Sequence, residues 1–234
     1  ILYYGPENKT KLIAMLASYH KPKLPLKPAP ASYPFKFQKQ LKNEINFANY
    51  DMVQTEISWN RNSVIFNPLT IPTIQLYNEY FGGGMSGVVF QTIRESKALA
   101  YSTYAYYGMA YKKGEPNTMG AYVGCQADKM NDAIAGMNEL LDSLPYSEKL
   151  FITVKEALKN NYSTSRITKQ AVLFRYLDAT RKGINYDMRQ KTYAALDKLS
   201  YSDILKFHQN NVARKPYSIS IIGNEKKINS TDLN

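Results

Sequence analysis

The sequence is short of the residues that build most metal and covalent sites: it has one cysteine, Cys125, and two histidines, His20 and His208. A single thiol excludes an internal disulfide and a thiolate cage for a metal, and it fits a reducing or an oxidising compartment equally. The two histidines lie far apart, and neither has a second histidine or a carboxylate at metal-ligand helical spacing, so no metal site is predicted. No run approaches the eighteen or so apolar residues of a membrane-spanning helix. The chain opens on Ile1 without the basic flank and apolar stretch of a signal peptide, and its first residues, ILYYGP, read as a strand cut from something longer.

Acidic residues are also scarce, with 19 against 30 basic ones, which gives a net charge of +11. Such an excess raises the possibility of a nucleic-acid or acidic-surface partner. Its distribution points elsewhere. Residues 1 to 45 hold eight lysines (Lys9, Lys11, Lys21, Lys23, Lys27, Lys36, Lys39, Lys42) against Glu7 and Glu44. Much of that charge flanks a proline-rich stretch, where it solubilises a linker.

What is present is patterned. Ile1 to Tyr4 reads as a strand, and Leu12, Met15, Leu16 and Tyr19 recur at helical spacing after a Gly5-Pro6 turn. Five prolines between Lys21 and Pro34 favour extended polyproline conformation, an interdomain linker. Residues 1–20 are thus read as the end of a preceding module, 21–34 as linker and 35–234 as the main domain. An echo supports this division: ILYYGPENKTK near the start and ISIIGNEKKIN near the end both run strand, glycine, acid, lysines.

Within the main domain, Val53, Thr55, Ile57 and Trp59 alternate with polar neighbours as in a half-buried strand. TIPTIQLYNEYF then reads as a helix capped by Thr70, with Pro72 in its first turn and Ile74, Tyr77 and Phe81 as its apolar stripe. Glycines stop it. Ser86 is placed to cap a second helix burying Val89, Phe90 and Ile93. The tyrosine-rich segment from Ala98 to Tyr111 and the segment TMGAYVGCQ form two antiparallel strands joined through KKGEPN. Three helical stripes follow: Met130, Ile134, Met137, Leu141, Leu144; then Phe151, Val154, Leu158, Tyr162; then Leu173, Tyr176, Leu177, Thr180. A last helix begins at Ser200, with Asp203 completing a capping box, and YSISIIG closes the domain as a buried strand.

The stretch FGGGMSGVVFQTIRESKALAY, residues 81 to 101, is the densest in glycine. Gly82, Gly84 and Gly87 spell the G-x-G-x-x-G spacing of a dinucleotide loop, but that loop follows a strand and these glycines follow a helix. On physical grounds Gly82, Gly83 and Gly84 make a corner where one helix ends and the next begins. Arg94, near the end of the second helix, complements the helix dipole, and Tyr101 starts a strand; composition alone gives both structural roles.

The same residues resemble the signature of the non-catalytic domains of the pitrilysin and insulinase family of zinc metallopeptidases. The motif of that family, glycines, a small polar residue and then Phe-Gln-x-x-Arg-Glu-x-x-x-Leu-Ala-Tyr, is matched without a gap from Phe81 to Tyr101. The resemblance implies an α+β two-layer fold: a mixed, mostly antiparallel sheet with helices packed mainly on one face. It implies tandem modules that close around a peptide, one of them carrying zinc on an H-x-x-E-H helix. This sequence contains no H-x-x-E-H. The resemblance therefore makes it an inactive module, with no peptidase activity of its own, no cofactor in this chain, zinc in a catalytic partner half, and a peptide as the shared substrate. It gives Arg94 and Tyr101 an auxiliary catalytic role, donating to the substrate backbone, and gives Gly82, Gly83 and Gly84 a part in substrate recognition. It also points to the cell envelope. Two other readings stand beside it: a scaffold or assembly subunit with a peptidase fold, and a basic nucleic-acid binder that stacks bases on its tyrosines.

Overall fold

The computed structural model describes residues 1–31, 33 and 35–228; Ser32 and Pro34 of the linker reading, and residues 229–234, fall outside the description. The chain divides into two compact units, one of Ile1–Lys36 with Arg166–Leu177 and one of Phe37–Ser165 with Asp178 onward.

In the first unit, α1 (Lys9–Tyr19) is capped by Asn8, whose side chain accepts from the backbone N–H of Lys11, and it buries none of its residues. Ile1 to Tyr4, expected as a strand, form no ladder here and stay exposed. A strand is held by its neighbour's hydrogen bonds, and the described chain offers these four residues none. Most of α5 (Lys169–Arg181) belongs to this unit, and no residue of that helix is buried, so its stripe of Leu173, Tyr176, Leu177 and Thr180 forms a helix but no core.

The second unit is built on five strands: β1 (Glu44–Asn49), β2 (Gln54–Ile65), β3 (Ser102–Gly108), β4 (Pro116–Gln126) and β5 (Ser218–Gly223). Their order is β1-β5-β2-β4-β3. Only the β1–β5 pair is parallel. The sheet is therefore mixed and mostly antiparallel, as the sequence pattern and the resemblance led us to expect. The last strand inserts beside the first two, which closes the domain on itself.

Alternation decides which face is covered. Thr55, Ile57 and Trp59 of β2, Thr103, Ala105 and Tyr107 of β3, Met119, Ala121, Val123 and Cys125 of β4, and Ile219 and Ile221 of β5 are all buried. Their neighbours point to the opposite, open face. Helices α2 (Ile71–Phe81), α3 (Met130–Asp142), α4 (Glu148–Thr164), α6 (Met188–Leu196) and α7 (Tyr201–Asn211) contribute Ile74, Tyr77, Phe81, Met137, Leu141, Val154, Leu158, Leu196, Ile204 and Phe207 to the same core. Trp59 donates its indole N–H to Asn138 Oδ1 at 2.9 Å, which satisfies the one polar atom of a fully buried ring.

Local signals set most boundaries. The backbone N–H of Ser200 donates to the Asp203 carboxylate at 2.8 Å, as the expected capping box requires. The start of α2 differs from the expectation. Asn67 accepts from the N–H of Leu69, a short 3₁₀ turn spans Pro68–Thr70, and the Thr70 hydroxyl donates back to the Asn67 carbonyl instead of capping the helix.

Candidate functional site

The glycine stretch is a corner, and also a seal on an edge strand. β3 is the outermost strand on its side of the sheet, and an unpaired edge needs cover. At Gly82, a side-chain carbon would lie 1.8 Å from the carbonyl oxygen of Ala105, so only glycine lets the end of α2 lie against that strand. One turn earlier, Asn78 acts as a surrogate strand: its amide donates to the Tyr107 carbonyl at 3.0 Å and accepts from the Tyr107 N–H at 2.8 Å. Gly83 packs back on the Glu79 carbonyl. Gly84 takes φ of +59°, the left-handed conformation that turns the chain into Met85 and Ser86. These last three residues are exposed.

The second helix is not the α-helix the spacing predicts. Its first helical residue is Val88, and the Gly87 carbonyl, not a Ser86 cap, receives the N–H of Gln91. From Phe90 to Ser96 the backbone winds as a π-helix, with the N–H of Lys97 bonded to the Thr92 carbonyl five residues back. π-Helical turns are rare and concentrate at functional sites, because the wider winding re-aims side chains that an α-helix would align. Ile93 is buried inward, and Lys97 pairs with Glu139 at 2.7 Å. Ala98, at φ of +48°, then swings the chain toward β3.

This geometry leaves Arg94 outside. Its side chain is 46% exposed, its guanidinium carbon sits 5.0 Å from the centre of the Phe90 ring, and its only ion pair among the described residues is a long 3.9 Å contact with Glu95. The head group is propped by an aromatic face while its N–H donors stay available. Tyr101, 51% exposed, stands just before β3. Its hydroxyl oxygen accepts from Gln126 Nε2 at 2.6 Å, which fixes the phenol and leaves its own proton free to donate. No hydrogen bond joins Arg94 to Tyr101, and each is steered by its own neighbour. The glycine corner and the π-helix are tied together: Gln91 donates to the Met85 carbonyl at 2.6 Å.

Phe90 and Gln126 are the positioning residues that sequence reading missed. The hairpin register held a signal for one of them. Ser102 opposes Gly124, so Gln126 must fall beside the residues just before β3.

Elsewhere polar groups serve the fold. A depression of about 370 Å³ bordered by Tyr162, Asp187, Arg189 and Tyr193 contains a guanidinium, but Arg189 donates to the Tyr162 carbonyl at 2.5 Å and to Ser165 Oγ at 2.8 Å, closing the end of α4. His208 is buried with Nδ1 3.0 Å from the Tyr77 hydroxyl. Burial lowers its pKa to about 4, against weaker upward pulls from Asp142 and the Leu141 backbone, and it packs on Phe81. Among the described residues no group of three or more His, Cys, Asp or Glu side chains is placed to hold a metal.

The fold and site together define a two-layer α+β domain whose exposed chemistry, at the end of its edge hairpin, is a guanidinium and a phenol. Comparison with known proteins gives that class its family. The profile of the peptidase M16 inactive domain matches residues 1–158, and the chain belongs to that family. A stretch of 66 residues, 28% of this chain and 14% of the other, is 38% identical to an uncharacterised zinc protease of Streptomyces coelicolor. The structure of a peptidase M16 inactive domain from Pseudomonas fluorescens is similar over 93% of this chain and 51% of that one, with a TM-score of 0.71 at 13% identity. The periplasmic protease PqqL of Escherichia coli is similar over 94% of this chain and 25% of that one, with a TM-score of 0.64 at 12% identity. The chain thus spans about half, or less, of the length of the proteins it matches.

Proposed function

We propose that this domain is the substrate-holding, non-catalytic part of an insulinase-like zinc peptidase, acting on a peptide cleaved by a zinc-bearing half in the same or another chain. The observation that carries the reading is the posture of Arg94 and Tyr101. Two unspent hydrogen-bond donors are presented to solvent, each fixed by a neighbour that asks for none of its donor capacity. A peptide carbonyl accepts from both kinds of donor, and negative charge developing on its oxygen strengthens both bonds. The glycine corner is the mount, and through Met85 and Gln91 it shares the substrate-facing surface with Arg94. In this reading residues 1–20 complete a preceding module, which gives the exposed apolar side chains of Ile1 to Tyr4 a sheet to join, and 21–34 link it to the domain.

The test is steady-state and single-turnover peptide hydrolysis by the full-length protein. Arg94→Ala and Tyr101→Phe are each expected to lower kcat by roughly a hundred- to a thousandfold, with zinc content and unfolding temperature unchanged. Full activity in both variants would overturn the assignment and favour a scaffold.

A further inference from the structure

The helix packed under the π-turn contains a residue that helix formation alone does not favour. α3 buries Ala133, Gly136, Met137 and Leu140, and of these Gly136 is out of character, because in a helix interior only proline is less favourable than glycine. Packing supplies its reason. A side-chain carbon at Gly136 would lie 3.1 Å from Ile93 Cδ1 and 3.5 Å from Leu99 Cδ1. Carbons pack at roughly 3.5–4.0 Å, so the first contact is too close and the second is ordinary. The missing side chain is a seat for one atom, the terminal methyl of Ile93.

Ile93 is fully buried, and the backbone around it is held from other directions. Its carbonyl accepts the N–H of Leu99 at 2.9 Å, and the Thr92 carbonyl accepts that of Lys97 at 3.0 Å. Glu139, on the same face of α3 as Gly136 and one turn later, pairs with Lys97 at 2.7 Å. The π-turn is therefore fastened to α3 on both sides of Arg94. Arg94 follows Ile93 by one planar peptide bond, so the depth at which Ile93 sits sets the level from which the guanidinium reaches out over Phe90.

We infer that Gly136 is a positioning residue for Arg94, acting through Ile93. The inference rests on the peptide-holding reading, in which Arg94 donates to a substrate carbonyl, and it adds a buried residue far outside the glycine stretch on which that site depends. The seat is closed by side chains of this domain. A methyl group at residue 136 lifts Ile93 by a few tenths of an ångström and carries Arg94 with it.

The test is peptide hydrolysis by the full-length protein carrying Gly136→Ala. A misplacement of about 1 Å can cost roughly a hundredfold, so this smaller one is expected to lower kcat by about three- to tenfold with KM little changed. Ile93→Val removes Cδ1, the atom that the new methyl would meet, and the double variant Gly136→Ala/Ile93→Val should recover most of the lost rate. Placed in an Arg94→Ala background, Gly136→Ala should cost nothing further, because its effect travels through the guanidinium. Wild-type kcat in Gly136→Ala beside a slow Arg94→Ala overturns this inference alone. So does a loss that Ile93→Val leaves in place, or one that persists without Arg94; either makes Gly136 a packing residue only. Full activity in Arg94→Ala overturns the donor role of Arg94 and this inference with it.

Discussion

At the scale of single residues, two glycines of one run have different reasons to be there, and substitution separates them. Gly82→Ala drives a methyl into the Ala105 carbonyl and is expected to destabilise by about 2–3 kcal/mol, because backbone must move. Gly84→Ala meets open space and costs only the left-handed backbone, about 1 kcal/mol. Chemical denaturation of both variants checks the order, and equal losses would contradict it. His208 gives a pH prediction with a definite sign. Its pKa is about 4 in the fold against an ordinary 6.5, so between those values the unfolded chain binds the extra proton. The stability it permits is complete above pH 6.5, falls as pH drops toward 4, and is then lower by about 3 kcal/mol at about 1.4 kcal/mol per unit. Unfolding free energies at pH 7, 5.5 and 4 should show this loss in the wild type and a shallower one in His208→Gln. An unchanged acid slope in the variant would rule His208 out as its source.

At the scale of elements, alternation was readable, capping was readable at α7 but not at Thr70 or Ser86, and winding was not. The β3–β4 hairpin follows from two alternating runs around KKGEPN, and α7 from Ser200 and Asp203, since these signals are local. β1 went unseen because EINFAN is a short run that buries almost none of its side chains, and it becomes a strand only where β5, far along the chain, lies beside it. α6 went unseen too; its Asp187 cap is a local signal that precedes a weak apolar pattern. The π-helix is invisible to periodicity, because Val89 and Ile93 suit either winding and tertiary packing chooses between them. Asn78 shows how an element is held by one side chain. Asn78→Ala leaves the N–H and carbonyl of Tyr107 without partners and is expected to cost about 2 kcal/mol. Amide exchange across β3 should speed up in that variant ahead of the rest of the sheet; uniform protection would show that the strand edge does not depend on it.

At the scale of the whole molecule, Arg94 and Tyr101 owe their candidacy to a resemblance, since spacing alone gave them structural roles. The structure adds what a motif cannot: Phe90 under the guanidinium and Gln126 on the phenol. The chain belongs to the M16 inactive-domain family and contains no H-x-x-E-H, and the function proposed for it is donation to a bound peptide. The most direct measurement is photo-crosslinking in the full-length protein with p-benzoylphenylalanine in place of Tyr101. A light-dependent adduct with a peptide substrate, suppressed by excess unlabelled peptide, is the predicted result. Adducts confined to the protein itself, with none to peptide, would contradict the claim that this site faces the substrate.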